Sequence, residues 1–337
     1  MTPLHKKIIS NIQESGSITV DEYISIALYT PDLGYYAKDH IIGRSGDFIT
    51  SPEICQIFGE LIGIFMIDQV TSAQPVERLD IIECGPGRGT LMHDILHTLE
   101  FYPDIFEKTH IHLVEISPSA KKQQAQTLEQ YNHVYWYKTL EDVPFSSGYT
   151  FVLANEFFDA LPIKQYYEKD GDIRERKVKL DQHNNLCFDV PDDAAHFTEI
   201  CPLYEKIIHN INERLTRGPG SLLIIDYGDD AANRNKNTLQ GVCDHQFADI
   251  FESPGLVDIS HQVNFQSLRE LIAPNIIIYP LITQSEFLNQ LGIDLRLQQL
   301  LQNATAKQRM ELLTACARLT APQHMGEIFK VLYAQSR

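Results

Sequence analysis

No two cysteines in this sequence stand as C-x-x-C; the six that occur, Cys55, Cys84, Cys187, Cys201, Cys243 and Cys316, are scattered along the chain. That spacing excludes a zinc ribbon and a thioredoxin-like redox pair, and it reads as reduced thiols in a reducing compartment. Long apolar runs are missing too. The most apolar stretch, ICQIFGELIGIFMIDQV from Ile54, is interrupted by Glu60 and Asp68, so it reads as a buried helix rather than a membrane span. The N-terminus, MTPLHKKIISNIQESG, has no signal-like apolar segment, and Leu4, Ile8, Ile9 and Ile12 fall at helical spacing almost at once. These features predict a cytoplasmic protein with no membrane insertion. Basic residues are in deficit, 28 against 45 acidic ones, for a net charge of −17. Such a field repels nucleic-acid phosphate and attracts cationic partners, so no nucleic acid is expected.

At 337 residues, 43% of them hydrophobic, the chain can build a large α/β domain with additions. Residues 1–75 read as a helical N-terminal extension. Thr19 and Glu22 stand at capping-box spacing, and Ser51 precedes Pro52 at an expected helix start. From residue 76 the pattern alternates. Apolar strands are predicted at LDIIEC, IHLVEI, HVYWY, YTFVLA, SLLIIDY and FKVLYA, with helix-length connections between most of them. That alternation predicts a doubly wound, Rossmann-like α/β core with a mainly parallel sheet. Two segments, about 165–215 and 228–275, read as insertions; the first alternates like a hairpin.

The run ECGPGRGT sets Gly85, Gly87 and Gly89 between a strand and a helix. A dinucleotide fingerprint would need its third glycine where Thr90 stands, and the lysine of a P-loop is absent. A phosphate also wants free N–H groups and positive charge at the helix start. Pro86 removes one N–H, and Glu83 places a carboxylate at the turn, which Arg88 could offset. S-adenosylmethionine, with an ammonium, a sulfonium and no phosphate, fits these residues better. Glu115, at the end of the second strand, is placed to accept the ribose hydroxyls.

After the fourth strand comes NEFFDALP, with Asn155, Glu156 and Asp159. Ligands in open α/β sheets sit outside the carboxyl ends of the strands, so these residues would face the same crevice as the glycine turn. If the methyl acceptor is a guanidinium, it stays charged at neutral pH, and paired carboxylates could grip it. Glu156 is the first choice for that grip and Asp159 the second. The plainer alternative is a capped helix start with two solvated acids. His93 and His97 lie four apart but lack a third ligand, so no metal site is expected.

These segments resemble the MidA-like class I methyltransferases, a family that includes a mitochondrial arginine methyltransferase acting in complex I assembly. The resemblance rests on LGYY, GDFITSPEICQIFGELIG, ECGPGRGTLMHDIL, HLVEISP, NEFFDALPIKQ, LLIIDYG, TQSEFL and MGEIFKVL, in order from about residue 33 to 332. It implies S-adenosylmethionine as donor and a protein arginine, possibly of a complex I subunit, as acceptor. It places Gly85, Gly87 and Gly89 in the donor loop, Glu115 on the ribose, and Gly46, Asp47, Thr50, Ser51 and Pro52 in a loop over the donor. Asp258 is retained from an acidic pattern and joins the acceptor-side candidates, whereas Asn237 and Asn264 stand where the family usually has acids. A homodimer is compatible with the sequence. Two other classes stay open: a small-molecule methyltransferase, and an assembly chaperone that binds the donor without turnover.

Overall fold

Six apolar runs become strands because each is too short for a helix and is bounded by turn residues. In the computed structural model, which describes residues 1–37, 50–73, 76–193, 196–230, 237–243 and 245–337, they build one sheet together with a further strand, Ile276–Ile278. Its main strands are β1 (Leu79–Cys84), β2 (Thr109–Val114), β3 (Val134–Tyr137), β4 (Tyr149–Asn155), β5 (Gly220–Asp229), β6 (Ile276–Ile278) and β7 (Phe329–Ser336). Their order is β6-β7-β5-β4-β1-β2-β3. Strands β1 to β5 pair in parallel, while β7 runs antiparallel between β5 and β6. The chain steps one way from β1 to β3 and the other way from β4, so the carboxyl ends of β1 and β4 flank the switch point where such sheets bind ligands.

Every residue of β1 and β4 is buried, as strands covered on both faces must be. The helices used below are α1 (Ser51–Ile54), α2 (Gln56–Ser72), α3 (Thr90–Leu99), α4 (Pro118–Thr127), α5 (Gln284–Gln290) and α6 (Ala306–Thr320). Phe58, Met66 and Leu96 from α2 and α3 pack with Ile81, Phe151 and Leu223 of the sheet in one core. Helices α2 and α3 approach through Gly59: a Cβ there would lie 2.5 Å from Asp94 Cβ. A larger residue at Gly59 would push α3, and the glycine turn at its start, away from α2. The apolar run is therefore a packed helix, and among the described residues no helix is long and apolar enough to cross a membrane.

The chain forms two compact units. One comprises Ile49–Phe158, Ile207–Asp230 and Val263–Arg337 and holds the sheet; the other comprises Met1–Phe48, Asp159–Lys206 and Ala231–Gln262. The N-terminal helices share a unit with Asp159–Lys206 and Ala231–Gln262, which are parts of the two segments read as insertions. Within the smaller unit the Thr19–Glu22 capping box forms as predicted. Strands Lys164–Lys169 and Asp172–Glu175 make the expected hairpin, turning on Asp170 (φ 58°) and Gly171 (φ 83°), both in the left-handed region that a tight two-residue turn requires. The second insertion is less irregular than its polarity suggests, because Gln240–Cys243 pairs with both Gln246–Ala248 and Asp258–Ser260.

Candidate active site

At the end of β1 the backbone turns through Gly85, Gly87 and Gly89, with φ of 67°, 53° and 82°. All three lie where L-residues with a Cβ are strained. Gly85 donates its N–H to Val114 of β2 at 3.0 Å, and a Cβ on it would meet the Phe157 ring at 2.9 Å. The donor turn and the NEFF segment are thus in contact. Pro86 also shapes the turn, its carbonyl accepting the Gly89 N–H at 2.7 Å. Arg88 is paired with Glu53 of α1 at 3.3 Å, and the Thr90 hydroxyl donates to the same carboxylate. The one cation at the helix start is therefore neutralised within the fold, which weakens a phosphate site further.

Glu83 does not sit at the mouth of the turn as its sequence position suggests. It is only 2% exposed inside β1, Oε2 has no hydrogen-bond partner, and burial pushes its carboxyl up to about 8. Both faces of β1 are covered, so burial favours the neutral form of this carboxyl. Glu115 stands at the end of β2 as expected. Burial raises its carboxyl, while the Ser117 N–H (2.7 Å) on Oε1 and the Gln124 amide (3.1 Å) on Oε2 oppose that rise.

At the end of β4 the sheet ladder runs one step further, the Glu156 N–H donating to Ile225 at 2.9 Å. Glu156 then takes φ 51°, a left-handed conformation costing about 1–2 kcal/mol for a residue with a Cβ. Asp226 of β5 stabilises this reversal. Its fully buried carboxylate accepts the N–H groups of Phe157 (3.2 Å) and Phe158 (2.9 Å) on one oxygen and that of Tyr227 (2.8 Å) on the other. The Glu156 side chain meets the Ser51 N–H at 2.7 Å and the Asn155 amide at 3.2 Å, both on Oε1. Glu156 Oε2 and Asn155 Oδ1 are buried without partners, and burial pushes the Glu156 carboxyl up to about 7.

Thr50, not Ser51, takes the N-cap position of α1, and Ser51 and Pro52 are buried. The Ser51 hydroxyl donates to Gln284 of α5 at 3.3 Å, and Gln284 donates to Leu319 of α6 at 2.9 Å. The TQSEFL segment thus holds the residue whose N–H meets Glu156. Gly46 and Asp47 lie outside the described residues. Asp159 and Asp258 belong to the smaller unit: the Asp159 carbonyl accepts the His261 N–H at 3.0 Å, and Asp258 Oδ1 accepts the Tyr36 hydroxyl at 3.5 Å. The structure therefore brings Asn155 and Glu156 together, but sets the other two acidic candidates in a separate unit. The two departures have structural work. Asn264 caps the helix Phe265–Leu271 by accepting the Ser267 N–H at 3.1 Å, and Asn237 accepts from Gln165 at 2.6 Å. Gln124, Asp226 and Gln284 carry much of the site; LLIIDYG and TQSEFL contain the last two, but the sequence assigns none of the three a role, since each acts on a residue distant along the chain.

The orphaned oxygens on Asn155 and Glu156 are acceptors, at the end of a strand flanking the switch point. That donor-seeking set fits a cationic nucleoside better than a polyphosphate.

Comparison with known proteins agrees. A family model described as an S-adenosyl-L-methionine-dependent methyltransferase matches residues 61–276. The protein arginine methyltransferase NDUFAF7, mitochondrial, of Danio rerio is 37% identical, over 96% of this chain and 85% of its own; its Homo sapiens counterpart is 34% identical over 98% and 82%. A superfamily member from Burkholderia thailandensis, solved with S-adenosyl-homocysteine, is 24% identical. It shares the fold with a TM-score of 0.83 over 99% of this chain and 92% of its own. These names correct the expected location. The relatives, including one from Caenorhabditis elegans, are named mitochondrial, and the cytoplasmic assignment does not stand. Reduced cysteines and acidic charge suit any reducing compartment, so they could not separate the two.

Proposed function

The chain belongs to this family of S-adenosyl-L-methionine-dependent methyltransferases, and we propose that it methylates an arginine of a protein. The observation that carries this reading is Glu156: a buried carboxylate with Oε1 held by two donors and Oε2 left for a third. A guanidinium, charged at any physiological pH and presenting N–H groups in a planar fork, is the partner such an oxygen selects. The relatives' name, protein arginine methyltransferase, supports the same acceptor.

The donor supplies a sulfonium methyl group open to in-line displacement. The nitrogen–carbon bond forms as the sulfur–carbon bond breaks, and sulfur keeps the electron pair. Glu156, ionised, orients the guanidinium and draws its positive charge away from the attacking nitrogen. One proton is released, and Glu156 Oε2 can receive it, since burial holds that carboxyl near 7. Glu115 and the glycine turn hold the donor on the β1 and β2 side, with Ser51 and Pro52 of α1, and Thr50 at its N-cap, beside Glu156.

Within the class of protein acceptors, we assign a hydrophilic complex I subunit, in line with the family resemblance. The net charge of −17 suits a basic acceptor segment. Labelled methyl transfer by the full chain into a lysate, followed by mass spectrometry, tests this. Label on arginine is expected; label confined to lysine or to a small metabolite would overturn it. Sedimentation of the same material tests the homodimer.

A further inference from the structure

Gln124 lies on α4, outside both donor-binding segments, yet its side chain is fully buried and touches each of them. Its Nε2 donates to the Gly87 carbonyl at 2.8 Å and to Glu115 Oε2 at 3.1 Å, so both amide protons are used. Its Oε1 accepts the indole N–H of Trp136 on β3 at 2.9 Å, which fixes which way round the amide stands. A Cβ on Gly89 would lie 3.5 Å from Gln124 Cα, so the turn rests against this helix as well.

The glycine turn and Glu115 come from successive strand–helix units, and their backbones are otherwise tied by the β1–β2 ladder and the Gly85 N–H to Val114 bond. From these contacts we propose that Gln124 is a positioning residue for the donor, a bridge that fixes the Glu115 carboxylate relative to the glycine turn so that both ends of the nucleoside meet preset partners. The inference rests on the donor-side reading of Glu115. Solvent could also satisfy a carbonyl and a carboxylate one at a time, but it would not hold their separation. A single amide with both protons committed and its oxygen pinned by Trp136 does hold it.

Calorimetric titration of the full chain with S-adenosyl-homocysteine tests the bridge, using wild type, E115Q, Q124L, Q124E and the E115Q/Q124L double variant. Q124L is expected to weaken binding about ten- to a hundredfold, the usual consequence of removing a donor shared by a carboxylate and a buried carbonyl. The double variant should be no more than a fewfold weaker than the poorer single one, because the two residues act as one unit. Q124E places a carboxylate against Glu115, whose other neighbours are the Ser117 and Ile116 N–H groups and Lys121. Its affinity should recover as pH falls from 8 to 6, when a proton can bridge the two acids, a response that mere loss of packing would not give. Trp136, the chain's single tryptophan, should change emission on ligand binding in wild type and respond less in Q124L. Q124L binding within twofold of wild type while E115Q is weakened would overturn the bridge alone. E115Q binding like wild type would overturn the donor role of Glu115 and the bridge with it. If Q124L does not fold, a flat pH response in Q124E would overturn the proposal by itself.

Discussion

Substituting Glu156 by Gln should abolish methyl transfer while making the protein relatively more stable as pH rises. The carboxyl lies at about 7 in the fold against an ordinary 4.5, because it is buried and only one oxygen is hydrogen-bonded. With the folded value above the unfolded one, the wild-type chain is favoured below pH 4.5 and loses that advantage as pH rises through 7. At about 1.4 kcal/mol for each pH unit, the loss amounts to about 3 kcal/mol once Glu156 is fully ionised. The amide keeps Oε1 as acceptor for the Ser51 N–H but buries an NH2 without an acceptor, at about 1–3 kcal/mol independent of pH. The difference in stability between E156Q and wild type should therefore move by about 3 kcal/mol in favour of the variant between pH 4.5 and 8.5. For a chain of 337 residues that corresponds to about 4 °C in Tm. Urea melts at both pH values measure it, with S-adenosyl-homocysteine titration confirming an intact donor site. Parallel pH profiles for variant and wild type would show that Glu156 carries no unrelieved charge, and full methyl transfer by E156Q would show that it does not grip the acceptor.

Three further outcomes follow from the same geometry. G85A places a Cβ 2.9 Å from the Phe157 ring at φ 67° and should cost about 1–3 kcal/mol of stability and at least about tenfold in S-adenosyl-homocysteine affinity, read by thermal melts and calorimetry. D226N puts an NH2 where a carboxylate oxygen accepts N–H groups from 157 and 158 or from 227. It should lower turnover more than about tenfold with donor affinity nearly unchanged, and equal losses in both would refute its role in aiming Glu156. E83Q removes a carboxyl that burial pushes up to about 8. Wild-type stability lost between pH 4.5 and 8 should be smaller in the variant by up to about 5 kcal/mol, measured by denaturant melts across that range.

Much of the frame is local in origin. The apolar runs of β1 and β4, the Thr19–Glu22 capping box and the Asp170–Gly171 turn each depend on residues a few positions apart, so composition and spacing determine them. The same holds for Gly85, Gly87 and Gly89, whose positive φ needs residues without a Cβ, and for Glu115 and Glu156, placed by ending their strands. Tertiary structure decided what those residues face. Asp226 reaches Phe157 from 69 positions away and Gln124 reaches Gly87 from 37, separations that only the strand order closes. It also decided charge: nothing in the sequence marks Glu83 and Glu156 as buried, and burial pushes their carboxyls up to about 8 and about 7. Arg88, which by sequence could offset Glu83, is paired with Glu53 on α1. A sequence determines where a side chain stands along its element; the dielectric and the partners around it exist only once distant elements have packed.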